Sequence, residues 1–315
     1  MTTAVAVQQP AAAGVKVHKS RPAPLEYGRK RWLQIILVVS FVFLYFPIFA
    51  LVAFSFNNSK RNVTWEGFTF FYYVKAFNNS ALHDALMNSL IVAFWSTVIS
   101  TIIGAMLGLA LYRYRFPAKG PFEGLIHLPI VIPEICMAVA MLAFFAFVDR
   151  QIFAWLNDNI IASINDSLGT SFSLQLGLGL FTITVSHIAF SFPFVAVVVR
   201  SRMAGFDESL EEASRDLEAS ASQTFWNVTL PYMMPGVIAG ALLAFTLSLD
   251  DFLITFFTSG PASTTFPVKI YSMVRQSVTP EVNAASTVLI VVTLTMTALG
   301  MWLQSRSGKK QIGHG

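Results

Sequence analysis

The chain has 315 residues, of which 55% are hydrophobic and only 12% are charged, whereas a soluble domain carries about 25% charged residues. Its apolar residues lie in runs of about twenty, the length at which a helix spans a bilayer. The composition therefore excludes a soluble globular protein and predicts an all-α, polytopic membrane protein. The single cysteine, Cys136, excludes an intrachain disulfide and a metal site built from cysteines.

Six apolar runs along the chain predict about six transmembrane helices. Residues 1–31 are polar and rich in alanine and proline, which predicts a disordered tail, and the next apolar run is longer than the ~7–15-residue core of a signal peptide. The spans are expected at about residues 32–56, 89–112, 125–148, 178–199, 233–257 and 284–303. Prolines inside them, Pro47, Pro129, Pro133 and Pro193, are expected to kink their helices. Residues 32–304 thus form one transmembrane domain, followed by a terminal tail at residues 305–315.

The distribution of lysine and arginine predicts the orientation of these spans. With the amino terminus in the cytoplasm, the cytoplasmic segments hold fifteen of the 21 basic residues and the outer segments hold six. Because cytoplasmic segments are enriched in lysine and arginine, we expect both termini on that side. The basic surplus of +4 is therefore interpreted as a signal of membrane topology, and no nucleic-acid partner is predicted.

Two pairs of glycines predict close packing between helices. Gly104 and Gly108 lie one helical turn apart in the second span, and Gly236 and Gly240 lie one turn apart in the fifth. Small residues at this spacing let helix backbones approach each other. The alternative is chance, since glycine is common in membrane helices.

No catalytic pattern is found in the sequence. It contains no phosphate-binding loop, no H-E-x-x-H zinc pattern and no G-x-S-x-G nucleophile elbow. The five histidines are scattered along the chain. We therefore expect no enzymatic activity, no cofactor and no metal, and uphill transport would need a partner or an ion gradient.

The predicted cytoplasmic loop at residues 205–232 carries two short amphipathic helices. Ser209 with Glu212 and Ser220 with Gln223 have the spacing of capping boxes. The apolar faces consist of Leu210, Ala213 and Leu217 in the first helix and of Phe225 and Val228 in the second. The polar face of the first helix is acidic, which disfavours anionic lipid and predicts that the loop docks on a protein.

This loop resembles the EAA loop of the permease subunits of binding-protein-dependent ABC importers, whose pattern is E-A-A-x3-G-x9-I-x-L-P. The matching positions are Glu212, Ala213, Ser214, Glu218, Val228, Leu230 and Pro231. The resemblance implies that these residues couple the spans to an ATPase subunit. Glu218 departs from the pattern, which has glycine there. Either Glu218 adopts a left-handed conformation at a cost of roughly 1 kcal/mol, or the first helix ends differently.

Four further stretches resemble the second membrane subunit of spermidine/putrescine importers. They are LPIVIPEI at 128–135, SHIAFSFPFV at 186–195, SLDDFLITFFTSGP at 248–261 and FPVKIYSMVRQSVTPEVNAAST at 266–287. The resemblance covers about residues 30–305 and implies a bacterial inner-membrane permease with the MetI-like fold. It also implies a heterodimer with a homologous permease, two copies of a P-loop ATPase subunit and a periplasmic substrate-binding protein.

Three acidic residues lie inside predicted spans, where a carboxylate is costly unless it is compensated. Asp250 and Asp251 are expected towards the outer end of the fifth span. Adjacent helix positions diverge by about 100°, so at most one of the two faces a central pathway. Glu134 is expected near the middle of the third span. We predict that these acids line the pathway of a cationic substrate.

Each of these acids also has a structural alternative. Lys269 or Arg275 would hold the aspartates in an ion pair, and His187 would pair with Glu134. The expected substrate is a polyamine or another small organic cation or solute, moved by alternating access with ATP hydrolysed on partner subunits. A proton-coupled secondary cation transporter would use the same acids, but such transporters usually show inverted repeats, which we do not find.

Overall fold

The computed structural model describes residues 31–60, 64–168 and 171–312, except for the side chains of residues 168 and 303–312. The predicted tail at residues 1–31 lies outside this part of the chain apart from Arg31, and so do residues 313–315 of the second tail. The described residues up to 50 form one compact unit, and those from 51 onwards form another. The first unit contains most of helix α1 (Arg31–Phe54), an apolar helix with Pro47 inside it.

The second unit is helical, and the strand-like pairing found in the described residues is an isolated bridge between Asn57 and Phe68. Its helices are α2 (Phe71–Phe77), α3 (Ser80–Arg113), α4 (Lys119–Val131), α5 (Glu134–Phe147), α6 (Ala154–Leu156), α7 (Ala162–Leu168), α8 (Leu180–Met203), α9 (Ser209–Asp216), α10 (Ala221–Thr224), α11 (Leu230–Asp250), α12 (Leu253–Thr258), α13 (Phe266–Gln276) and α14 (Pro280–Ile312). Segments of π-helix at Val148–Phe153 and Asn157–Ile161 connect α5, α6 and α7, and a third at Phe225–Thr229 connects α10 to α11.

Six helices of the described chain are long and apolar enough to cross a bilayer, which confirms the predicted all-α polytopic fold. They are Arg31–Phe54, Ser80–Arg113, Glu134–Ser167, Leu180–Met203, Ala221–Asp250 and Pro280–Trp302. Several extend beyond the predicted boundaries, because polar residues continue a helix without adding to its hydropathy. The second, for example, begins at Ser80, nine residues before the predicted start at Ser89.

The region predicted as the third span, residues 125–148, is broken at Pro133, where only a kink was predicted. Helix α4 ends at Val131, Ile132 and Pro133 have extended backbone angles, and α5 begins at Glu134. Proline explains the break, since it disfavours a helical conformation of the preceding residue and has no N–H to donate. The prediction of one helix with Glu134 near its middle is therefore wrong: Glu134 lies at the amino terminus of a helix.

The fifth span is interrupted too, where a continuous helix over residues 233–257 was predicted. Helix α11 ends at Asp250, Asp251 has extended backbone angles (φ −61°, ψ 130°), and α12 begins at Leu253. The Asp251 side chain accepts a hydrogen bond from Ile254 N at 3.2 Å, and so satisfies a donor that has no partner within the new helix. The prediction that both aspartates lie on one helix is therefore wrong.

Helices α3, α8 and α11 pack against one another in the second unit. A Cβ atom on Gly104 would lie 2.6 Å from Val195 Cβ, and one on Gly240 would lie 2.9 Å from Val195 Cγ1. Gly108 and Gly236 approach α8 similarly closely. Since side chains do not tolerate such distances, only glycine permits these backbone separations. The predicted packing role of both glycine pairs is confirmed.

Candidate functional site

The interruptions of the third and fifth spans lie next to each other. Helix α5 packs against α12, and a cavity of about 270 Å³ is present there. The residues lining it are Glu134, Phe190, Leu247, Asp250, Asp251, Phe252 and Leu253. The structure thus brings together the three acids that were predicted to line a pathway, and we call this space the acidic cavity.

Asp251 is the buried member of the three, with 6% of its surface exposed. Its Oδ2 atom accepts hydrogen bonds from Thr255 N at 2.8 Å, Thr255 Oγ1 at 2.7 Å and His187 Nε2 at 3.0 Å. Its Oδ1 atom accepts the bond from Ile254 N described above. Because a buried carboxylate needs surrounding donors, these four bonds explain how Asp251 is accommodated and hold it in one orientation.

His187 connects the acidic cavity to the neighbouring helices. Its Nδ1 atom lies 2.7 Å from Ser248 Oγ, and Ser248 Oγ accepts a hydrogen bond from Ser96 Oγ at 2.9 Å. The hydrogen-bond chain Ser96–Ser248–His187–Asp251 therefore joins α3, α11 and α8. The structural alternative in which His187 pairs with Glu134 is not observed, because the ring nitrogens of His187 contact Ser248, Asp251 and Thr255.

Glu134 and Asp250 are more accessible than Asp251. Glu134 is half-buried and Asp250 is exposed. Within the described chain, no lysine or arginine forms an ion pair with any of the three acids, so the predicted alternative of pairing with Lys269 or Arg275 is not observed. Among the described residues, the basic side chain that contacts these acids is therefore His187, at Asp251.

Aromatic rings and a helix terminus accompany these acids. The ring centroid of Phe252, which lines the cavity, lies 4.6 Å from that of Tyr271 and 5.5 Å from that of Phe256. Ring faces attract cations, and the carboxyl terminus of α11, which ends at Asp250, carries partial negative charge. Among the described residues, no cluster of three potential metal ligands occurs. Carboxyl groups, a ring face and the end of a helix dipole thus meet at the acidic cavity.

The loop at residues 205–232 forms the second region of interest. Glu218 follows the end of α9, at the position where many helices have a left-handed glycine. Glu218 has φ 61°. Ala219 N donates to Ser214 O at 3.2 Å, and Glu218 N donates to Arg215 O at 2.9 Å, which are the two bonds of a Schellman motif. The left-handed alternative for Glu218 is thereby confirmed.

The two loop helices begin differently, and only one begins as predicted. Gln223 N donates to Ser220 Oγ at 3.3 Å and Ser220 N donates to Gln223 Oε1 at 2.8 Å, which confirms the second capping box. The first predicted capping box, Ser209 with Glu212, is wrong. Ser209 is already the first residue of α9, and its N–H donates to Asp207 Oδ1 at 3.0 Å. The side chain and backbone N–H of Ser209 lower the pKa of Asp207 below its ordinary value.

The apolar residues of the loop fall into two groups. Leu210 in α9 and Leu217 directly after it are 48% and 83% exposed, whereas Val228 and Leu230 pack against a buried cluster inside the protein. The other residues of the predicted pattern are Glu212, Ala213, Glu218 and Pro231, which are exposed, and Ser214, which is half-buried. Exposed apolar groups next to one another mark an interaction surface, so α9 presents such a surface and Val228 and Leu230 hold the loop in place.

The sequence did not point to Ser96 or Ser248. Ser248 lies three residues before Asp251, almost one helical turn, and this spacing is a signal that could have been used. Ser96 lies 152 residues away from Ser248 in the chain. A single serine in an apolar helix carries no signal of such a contact, so only the tertiary structure identifies it.

Comparison with known proteins identifies the family of the chain. Residues 100–312 match the family described as "Binding-protein-dependent transport system inner membrane component". The spermidine/putrescine transport system permease protein PotC of Escherichia coli (strain K12) is 38% identical over 256 residues, which are 81% of this chain and 87% of that protein. The putrescine transport system permease protein PotI of the same organism is 34% identical over 285 residues, 90% of this chain and 94% of PotI. PotC of Haemophilus influenzae is 34% identical over 271 residues, 86% of this chain and 95% of that protein.

Solved structures share the fold at lower identity. A chain of a bacterial ABC transporter involved in the import of the acidic polysaccharide alginate has a TM-score of 0.66 at 17% identity, covering 89% of this chain and 96% of that one. A chain of the MetNI methionine ABC transporter has a TM-score of 0.53 at 19% identity, covering 72% and 95%. The protein is a multi-pass protein of the bacterial inner membrane. It belongs to the family of inner membrane components of binding-protein-dependent transport systems.

Proposed function

We propose that the chain is a membrane-spanning permease subunit of an ATP-driven ABC importer that carries polyamines such as spermidine and putrescine. The observation that carries this proposal is the acidic cavity, in which Glu134, Asp250 and Asp251 meet at two helix interruptions. Such acids are costly inside a membrane, and a polycation would compensate them. The relatives named for spermidine/putrescine and putrescine transport support this substrate class.

In this proposal the three acids have different roles. Asp251 is held by His187 and Thr255, so it contributes negative charge from a fixed position. Asp250 and Glu134 are accessible and contact the ammonium groups directly. A polyamine carries ammonium groups on a flexible methylene chain, so carboxylates, ring faces and apolar lining in one cavity match its chemistry.

The loop at residues 205–232 supports an assembly with an ATPase. The exposed Leu210 and Ala213 of α9 and Leu217 directly after it would be covered by a P-loop ATPase subunit, of which the importer has two copies. A homologous permease completes a heterodimer, and a periplasmic binding protein delivers the substrate. Both termini lie in the cytoplasm with the loop, and this subunit hydrolyses no ATP itself.

Transport then proceeds by alternating access. ATP binding closes the two ATPase subunits, and the docked loop carries this movement to the membrane-spanning helices. The permease pair opens towards the periplasm below the loaded binding protein, and the cation enters the acidic cavity. ATP hydrolysis reverses the movement and exposes the same cavity to the cytoplasm.

Uptake by the complete complex in proteoliposomes tests the proposal. Labelled spermidine and putrescine are supplied with the binding protein, and uptake is measured with ATP, without ATP and with a protonophore. We expect uptake that requires ATP and persists with the protonophore. Uptake that needs no ATP and is abolished by the protonophore would favour a proton-coupled carrier. Preferential uptake of another organic cation, such as choline, would refute the proposal that polyamines are the substrate.

The variant Glu134→Gln tests the acidic cavity itself, because it removes a charge and preserves the size of the side chain. Uptake should fall at least about tenfold, which corresponds to about 1.4 kcal/mol, while the yield of assembled complex is unchanged. Asp166→Asn is the matched control, since Asp166 is exposed in α7 and does not line the acidic cavity. Equal uptake by both variants would contradict a role for Glu134.

A further inference from the structure

Glu211 has an unusual environment for a glutamate in an exposed loop. It lies in the first turn of α9 next to Glu212, whose side chain is exposed, yet only 7% of Glu211 is accessible. A glutamate is almost never fully buried unless it is paired. Its partners therefore explain its position.

Both carboxylate oxygens of Glu211 contact residues at the ends of long helices. Oε2 forms an ion pair with Arg113, the last residue of α3, and lies 3.8 Å from Arg215. Oε1 accepts a hydrogen bond from Thr229 Oγ1 at 2.6 Å, and Thr229 directly precedes α11. One side chain thus attaches α9 to two membrane-spanning helices.

The same two helices lead to the acidic cavity. Ser96 in α3 donates a hydrogen bond to Ser248 in α11, and the hydrogen-bond chain defined above continues from there to Asp251. Ser96 and Arg113 are 17 residues apart in α3, or about 25 Å along the helix. Contacts within the folded chain therefore connect the loop with the acidic cavity through two continuous helices.

The other attachments described for the loop are hydrogen bonds and apolar packing. Tyr112 of α3 donates to Phe206 O at 3.4 Å, and Arg202 of α8 donates to Tyr232 O at 3.2 Å. Ser214 and Thr224 lie 3.1 Å apart, which joins the two loop helices to each other. Val228 and Leu230 contribute apolar packing, which is not directional. In the described part of the chain, the ion pair that connects α9 directly to a spanning helix is made by Glu211.

We propose that Glu211 is a positioning residue that transmits the displacement of α9 to α3 and α11 during transport, an inference that rests on the proposed function. Hydrogen bonds to charged groups are roughly twice as strong as neutral ones, and separating a buried ion pair leaves an uncompensated charge. Movement that the ATPase imposes on α9 is therefore passed to both helices. Glu211 touches neither substrate nor ATP, and it acts through Arg113 and Thr229.

The test compares Glu211→Gln, Arg113→Gln and the charge-reversed pair Glu211→Arg with Arg113→Glu in the complete complex. Complex yield, ATP hydrolysis with loaded binding protein, and uptake are measured on the same preparations. We expect both single variants to assemble and to hydrolyse ATP at nearly the wild-type rate. Uptake per ATP should fall at least about tenfold, or about 1.4 kcal/mol, and the reversed pair should transport better than either single variant.

Asp216→Asn is the control, because it removes one charge from the exposed end of the same helix, and it should transport normally. Wild-type uptake per ATP in Glu211→Gln would overturn the proposal. So would a fall in uptake that only follows a fall in complex yield, or an equal fall in Asp216→Asn. A wild-type complex that takes up another substrate would contradict the polyamine proposal alone, since uptake of that substrate per ATP still reports on Glu211.

Discussion

Replacing Asp250 and Asp251 by asparagine, one at a time, separates the electrostatic role of the acidic cavity from its structural role. Each change removes one negative charge and barely alters the side-chain volume. Asp250 is exposed, whereas Asp251 is buried and accepts four hydrogen bonds. We expect Asp250→Asn to lower uptake without affecting assembly, and Asp251→Asn to lower both.

The magnitudes follow from these environments. A unit charge about 4 Å from an ammonium group contributes about 4 kcal/mol at an effective dielectric constant of about 20. Solvent screens the exposed Asp250, and if about a third of this attraction remains, uptake falls roughly tenfold. At Asp251, asparagine has a single acceptor oxygen for donors from His187, Ile254 and Thr255. Each buried donor left unpaired costs about 1–3 kcal/mol, a large fraction of the stability of a typical domain.

The assay measures polyamine uptake, complex yield and melting temperature for both variants, with Asp166→Asn as the control for loss of a charge elsewhere. Full uptake by Asp250→Asn would refute the electrostatic role of that residue. A wild-type melting temperature and yield for Asp251→Asn would show that the hydrogen bonds around Asp251 do not stabilise the interruption of the fifth span.

Three further substitutions test the loop and the helix packing. Glu218→Gly should raise the melting temperature and leave uptake unchanged, because glycine adopts the left-handed conformation at no steric cost; a lower melting temperature would reveal a contact made by Glu218. Ala213→Asp should abolish uptake and copurification of the ATPase while the chain still inserts, because it places a charge in an apolar contact; normal uptake would remove the docking surface. Gly104→Ala should destabilise the protein by about 1–3 kcal/mol. Gly124→Ala is the control and should not, because a Cβ atom at Gly124 would meet no atom within 4 Å. Equal melting temperatures of the two variants would contradict the packing described for α3.

The sequence predicted those parts of the structure that depend on local composition and spacing. Runs of apolar residues identified six spans, since hydrophobic length alone decides whether a helix crosses a bilayer. Spacing in single helices identified Gly104 and Gly240 as packing positions. The position of Glu218 in a family pattern offered the left-handed conformation as one of two alternatives, because helices often end at a left-handed residue.

The sequence indicated one of the two interruptions, and only as a kink. Pro133 precedes Glu134 and marks the first interruption. Nothing in the apolar run around Asp251 marks the second, which depends on donors from Ile254 and Thr255 and on the distant His187. Hydropathy does not register such tertiary hydrogen bonds, and for the same reason the contact of His187 with Asp251 was not predicted.

Val195 is approached from two sides, by Gly104 of α3 and by Gly240 of α11. Neither helix can slide along α8 without driving a larger side chain into this space, and close-packed interiors have no room for that. The three helices therefore share one register, and we expect them to move together as one body. A change of access must then come from rotation of this body or from hinges at Ile132–Pro133 and Asp251–Phe252, and a crosslink between α3 and α11 should not stop transport.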